Sequence, residues 1–157
     1  MIALRCITCS AMTTRRHVLV TLAAGSALET QAQPASHAQP EHRWYEAAAR
    51  LKREAQASGD QPYGAVLVLD GKVVGESPSR VVRNQNQDAH AEREAIRHAQ
   101  RSLGRQSLAG TILYSTSRPC ALCEEAAALA GVSRMVFGPA LSDAGAPRGR
   151  TAAENHQ

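Results

Sequence analysis

Aromatic residues are nearly missing from this sequence: Trp44, Tyr45, Tyr63, Tyr114 and Phe137 are the full set, 3% of the chain. Any core must rest on Ala, Val, Leu and Ile. No apolar run approaches the ~20 residues that a membrane span requires, so no membrane segment is expected in the mature protein. A strong excess of either charge is also missing. Net charge is +4, and Arg5, Arg15 and Arg16 supply three of the 18 basic residues before position 39, against one acid there, Glu29. The remainder is close to balance, which gives no electrostatic basis for a large nucleic-acid footprint. Cysteine is scarce: four residues in two pairs, CITC (6–9) and the CALC of RPCALC (120–123). At 157 residues, with 43% apolar and 20% charged content, the chain suits one ordinary globular domain.

The first forty residues read as an address. After Met12, Arg15 and Arg16 form a charged region, and Val18 to Leu28 is apolar and small, the length of a signal-peptide core. A polar stretch rich in Gln, Pro, Ala and Ser follows. The order Thr-Arg-Arg-x-x-Leu resembles a twin-arginine export signal, with Val18 and Val20 where Phe and Lys are common. The expectation is a leader over 1–38, with Met12 a plausible start, and a periplasmic or secreted protein; without a working signal it would be cytoplasmic. Cys6 and Cys9 precede the arginines and would be removed with the leader.

The rest of the chain alternates between two periodicities. Trp44, Ala47, Ala48, Leu51 and Ala55 recur at helical spacing over 41–58, and Gly59 follows. GAVLVL (64–69) and KVVGE (72–76) read as strands joined at Asp70-Gly71, a strong hairpin signal. A turn-rich loop (78–88) leads to a helix from about 89 to 103. TILYST (111–116) reads as a strand, 120–130 as a helix and SRMVFG (133–138) as a strand. The residues after 140 carry no aromatic and read as a flexible tail, 141–157. Strands separated by helices favour parallel pairing with right-handed crossovers. The expected fold is therefore α/β, with three α-β-α layers around a mixed sheet, in a domain over 39–140.

The chemistry sits at two helix starts. Cys120 and Cys123 are spaced i, i+3, and Pro119 suits the start of their helix. A helix N-terminus favours the thiolate. His90 can complete a set of one nitrogen and two sulfurs, which suits zinc and leaves its fourth position open for water. Glu92 stands two residues from His90, about 200° around a regular helix. The two converge only if the helix is just beginning. A carboxylate beside such a water can move its proton. A structural zinc or a disulfide remains open for the cysteine pair, and a helix-start acid for Glu92, as for Glu94. His98, with Arg80, Arg83, Arg97, Arg101 and Arg105, reads as solvated surface or core.

His-Ala-Glu followed by Pro-Cys-x-x-Cys resembles the zinc-dependent cytidine deaminase-like superfamily. QPYGAVLVLDGKVVGE, LYSTSRPCALC and RMVFG are similar to segments of its bacterial tRNA adenosine deaminase and guanine deaminase group, over roughly 43–140. The resemblance implies one zinc per chain on His90, Cys120 and Cys123, with Glu92 as proton shuttle. It implies a base pocket lined by the backbone of Gly64 and Ala65, with Tyr63 near it. Ser79 falls where purine deaminases of the group carry Asn, and Arg118 where Glu commonly precedes Pro-Cys. The implied function is hydrolytic deamination of a nucleobase or nucleoside (a purine such as guanine or adenine, or cytosine), with release of ammonia. The alternatives are a tRNA adenosine deaminase, which export disfavours, and a non-catalytic zinc-stabilised binding protein of the same fold. A homodimer is expected.

Overall fold

In the computed structural model, residues 41–149 are described. Arg15, Arg16, the apolar stretch Val18–Leu28 and the CITC pair lie outside the described residues. Eight elements follow in order: α1 (His42–Ala57), β1 (Gly64–Leu69), β2 (Lys72–Pro78), α2 (Ala91–Leu103), β3 (Ile112–Ser115), α3 (Ala121–Leu129), β4 (Arg134–Phe137) and β5 (Ser142–Gly145). The strands form one sheet in the order β2-β1-β3-β4-β5. It is mixed: β1 is antiparallel to both β2 and β3, β3 is parallel to β4, and β4 is antiparallel to β5. No helix of the described residues is long and apolar enough to cross a membrane.

Strand alternation divides the core between two faces. Ala65 and Leu67 of β1, Leu113 of β3 and Met135 of β4 point to one face, where Ala91, Ala95, Ile96 and Ala99 of α2 and Ala127 of α3 cover them. Val66, Val68, Tyr114 and Val136 point to the other, beneath Ala48 and Leu51 of α1. The result is a three-layer α-β-α stack. Each fully buried Val, Leu, Ile or Met contributes about 1.5–3 kcal/mol, and each alanine methyl less than about 1 kcal/mol. With so many alanines, helices and strands approach closely. A Cβ on Gly64 would overlap the carbonyl of Ala48, and one on Gly75 would lie 2.6 Å from the Cβ of Ala99.

The hairpin turn has the chemistry its sequence announced. Asp70 and Gly71 both have positive φ, 48° and 71°, which matches the twist of the two strands. β2 runs on to Pro78, two residues past the expected end. It is an edge strand, where a proline without N–H is tolerated.

One expectation is corrected. The tail from 141 opens with β5, which pairs Ser142 with Phe137 and Asp143 with Val136. SDAG carries no apolar alternation, so periodicity does not reveal it. Pairing with β4 and the Arg134 guanidinium, whose Nε donates to Asp143 at 3.0 Å, hold it in place.

Topology fixes where the site lies. β2 and β3 are both antiparallel to β1, so their C-terminal ends share one edge of the sheet. Each is followed by a helix that starts from that edge, α2 after β2 and α3 after β3. The N-terminal end of β1 reaches the same edge, because Gly64 pairs with Pro78 and Ala65 with Ser115. Ligands of open α/β sheets bind beyond the carboxyl ends of strands, where the strand order reverses.

Candidate metal centre

His90 is the N-cap of α2 and Cys120 the N-cap of α3, both extended, with φ/ψ of −62°/150° and −72°/166°. The backbone carbonyl of each accepts the first helical hydrogen bond, from Glu94 and Glu124 respectively. Neither side chain caps its own helix. Their nitrogen and sulfur atoms therefore stay free. Cys123 lies one turn into α3, fully buried.

The three side chains converge. Nδ1 of His90 lies 3.4 Å from Sγ of Cys123 and 3.7 Å from Sγ of Cys120. One ligand atom from each residue falls within 4.8 Å of the others. Tetrahedral zinc bonds of about 2.05 Å to nitrogen and 2.3 Å to sulfur would set those atoms about 3.6 Å apart. The donor set fits zinc on distance as well as on type. Electrostatics agree. Burial pushes the Cys123 thiol well above its ordinary pKa, and the nearby Glu92 and Cys120 push it further the same way. Negative charge is unfavourable here unless a cation shares the site, and two helix N-termini add only a partial positive charge.

Glu92 sits in the first turn of α2, 5% exposed. Because His90 precedes the helix, the two side chains are not held at the 200° separation of a regular helix. Both face Cys123, whose thiol donates to Oε2 of Glu92 at 3.7 Å. Burial raises the Glu92 pKa, while its own backbone N–H, His90 and the Cys123 thiol oppose that rise. Burial thus favours the protonated form of this carboxyl more than water does for a solvated one.

The centre opens on a cavity of about 280 Å³ lined by Gln61, Tyr63, His90, Glu92, Ser117, Arg118 and Cys120. Tyr63, expected near a base pocket, lines this cavity. Gly64, Ala65 and Ser79 are not on that wall. Gly64 N–H donates to Oγ1 of Thr116, and its missing side chain admits α1. Ala65 is fully buried among the residues under α2. Ser79 is 2% exposed, and its hydroxyl donates to Oδ1 of Asp60 at 2.9 Å. Asp60 also accepts from the N–H groups of Gln61 and Arg83, so it clamps the start of the 79–88 loop to the segment before β1. Gln61, Ser117 and Arg118 were missed as wall residues. Their neighbourhood was the signal: Gln61 stands two before Tyr63, and Ser117 and Arg118 run directly into Pro119-Cys120.

Residues 38–139 match the family model for the cytidine and deoxycytidylate deaminase zinc-binding region. A tRNA-specific adenosine deaminase of Agrobacterium fabrum is 41% identical over 88 residues, 54% of this chain and 58% of that protein. A structure from a study of A-to-I editing by tRNA:A34 deaminases superposes with a TM-score of 0.60 at 38% identity, covering 61% of this chain and 70% of that one. The X-ray structure of guanine deaminase from Bacillus subtilis gives 0.58 at 35% identity, covering 61% of each chain. The chain spans between about half and two thirds of the length of the curated relatives it matches.

Proposed function

The chain belongs to the cytidine and deoxycytidylate deaminase zinc-binding family, and from that premise we propose that it is a zinc-dependent hydrolytic deaminase of a nucleobase or nucleoside. The observation that carries this reading is the shared opening of two helices. One nitrogen and two sulfurs lie within 4.8 Å of one another, and two of their residues, His90 and Cys120, line the same cavity as the buried Glu92. A structural zinc site supplies four protein ligands, whereas three donors, His90, Cys120 and Cys123, converge here beside a cavity.

When bound by His90, Cys120 and Cys123, zinc supplies Lewis-acid activation of water at neutral pH. The protein's own residues do the rest. Glu92 takes a proton from the attacking water and delivers it to the ring nitrogen beside the amidine carbon; it then takes the second proton from the newly attached hydroxyl and delivers it to the departing amine. Ammonia leaves, and the oxygen of the water remains as the carbonyl. Tyr63 and Gln61 line the cavity that would take the base. The cavity is small for a ligand pocket, which typically measures about 300–1,000 Å³, and so suits a single base.

A tRNA substrate is the second reading, supported by likeness to tRNA-specific adenosine deaminases. Ammonia release from a panel of free bases, nucleosides and an anticodon stem-loop separates the two. No release from any member, by zinc-loaded protein, would leave a zinc-stabilised binding protein instead. The proposal includes a homodimer, for which exposed Leu122 and Leu129 on α3 offer apolar surface. It also includes export, supported by Arg15-Arg16 ahead of the apolar Val18–Leu28. Replacing both arginines by lysine should hold zinc-loaded protein in the cytoplasm. Normal periplasmic levels of that variant would refute the twin-arginine route.

A further inference from the structure

The cavity wall carries one positive side chain that nothing in the deamination chemistry uses. Arg118 lies at the exposed rim, between Ser117 and the fixed φ of Pro119. Other arginines near the centre are paired: Arg93 with Asp88, Arg97 with Glu94, Arg148 with Glu124. Among the described residues Arg118 has no carboxylate within salt-bridge distance and no side-chain hydrogen bond. Its guanidinium carbon instead stands 5.9 Å from the ring centre of Phe137, within the range of a cation–π contact. The loop beneath it is braced, since the Ser115 hydroxyl donates to the Ser117 carbonyl at 2.6 Å. An aromatic ring and a braced loop thus hold an unpaired guanidinium at the mouth of the cavity.

The charges are ordered along the depth of the cavity. Glu92 is buried on one wall, whereas Arg118 is exposed, as is Cys120 beside it. At about 280 Å³ the space takes a base, so whatever the base is attached to must lie at the lip. A guanidinium offers a planar fork of donors that matches phosphate oxygens two at a time.

The geometry points to Arg118 as a specificity residue that binds a phosphate attached, through ribose, to the base being deaminated. This rests on the deaminase reading and narrows it. The substrate is a nucleotide or an RNA residue rather than a free base. The phosphate can be the 5′-monophosphate of a free nucleotide or a phosphodiester of single-stranded RNA, and the arms of the experiment separate these sources.

The experiment uses zinc-loaded full chain, as wild type, Arg118→Gln and Arg118→Lys. Ammonia release is measured on adenosine, guanosine and cytidine, on their 5′-monophosphates, and on an anticodon stem-loop beside its isolated nucleoside. Binding of the same pairs is measured by calorimetry, which needs no turnover. Wild type is expected to favour the phosphorylated member of one pair by about 10-fold or more, mainly in KM. Arg118→Gln should bring that ratio near one, and Arg118→Lys should restore part of it. A merely structural role would lower both members together and leave the ratio alone. Preference for a monophosphate identifies a free nucleotide, and preference confined to the stem-loop identifies a phosphodiester. Ammonia release with equal rates in every pair, or a ratio unchanged in Arg118→Gln, overturns the assignment. So does calorimetry in which no phosphorylated member binds. If nothing is deaminated but a phosphorylated ligand binds in an Arg118-dependent way, the anion site stands and the deaminase reading falls.

Discussion

Sγ of Cys123 lies 3.4 Å from Nδ1 of His90, across 33 residues of sequence. That distance joins the first turns of two helices and suits a shared tetrahedral ion. It also brings a thiol whose pKa is raised by burial against a nitrogen that can share a cation with it.

The first prediction concerns that cation. Elemental analysis should find about one zinc per chain, and Cys123→Ser should remove most of it with a clear fall in Tm. Zinc must displace protons from both thiols. Because burial keeps the Cys123 proton on to higher pH, protons compete more strongly as pH falls. Apparent zinc affinity, measured against a chromophoric chelator from pH 8 to pH 6, should therefore weaken steadily. A flat profile would show that the thiols are not the ligands.

Glu92→Gln is the second. Gln keeps the shape and most of the burial but cannot carry a proton between water and base. General acid–base catalysis contributes roughly 10²–10⁴-fold, and a shuttle used in several steps belongs at the high end. Zinc content should stay at the wild-type value. Ammonia release within a few-fold of wild type would end the shuttle role.

The third prediction is a pH dependence of stability at Asp60. Burial works to raise its pKa, but the N–H groups of Arg83 and Gln61 and the Ser79 hydroxyl outweigh it and hold the carboxyl below its ordinary value. A depressed folded-state pKa means stability that is present above the unfolded value of about 3.9 and lost as pH falls through the folded one. Asp60→Asn should cost about 1–3 kcal/mol at neutral pH, because an amide N–H would face N–H donors. The Tm gap between wild type and variant should narrow below about pH 4. A gap that stays constant down to pH 3 would mean that folding does not depress the Asp60 pKa.

How much of this was legible in the sequence depended on whether a signal was local. The hairpin at Asp70-Gly71 and the small-residue faces of α1 and α2 are carried by neighbours in sequence, and each emerged as read; HAE and PCALC were each recognisable locally, and the sheet brings them together. β5 was not legible, because SDAG becomes a strand only by pairing with β4 and meeting Arg134. Ser79 and Gly64 were assigned to a base pocket by resemblance alone. Their surroundings are set by long-range partners, Asp60 in one case and the carbonyl of Ala48 in the other. Arg118 stood beside the cysteine motif but gained a role only once the cavity showed its lip.

The last prediction separates the two faces of the sheet. On Gly64, a Cβ would meet the Ala48 carbonyl, with the N of Lys52 at 2.6 Å and the Cβ of Leu51 at 2.8 Å, so α1 must move away from β1. On Gly75, it would meet the Ala95 carbonyl, with the Cβ of Ala99 at 2.6 Å and its N at 2.7 Å, so α2 must move away from β2. Backbone atoms cannot swing aside as a side chain can, and overpacking of this kind costs about 1–3 kcal/mol or more. Both Gly64→Ala and Gly75→Ala should therefore lower Tm by several degrees. Their effects on the metal should differ. α1 carries no ligand, so Gly64→Ala should keep its zinc affinity. The N-cap and first turn of α2 carry His90 and Glu92, so a shift of that helix spreads the donor set, and Gly75→Ala should bind zinc at least several-fold more weakly. Chelator competition on both variants, at a temperature where both remain folded, decides it. Equal zinc affinities would mean that the centre tolerates movement of α2, and that its geometry is held by α3 and the metal itself.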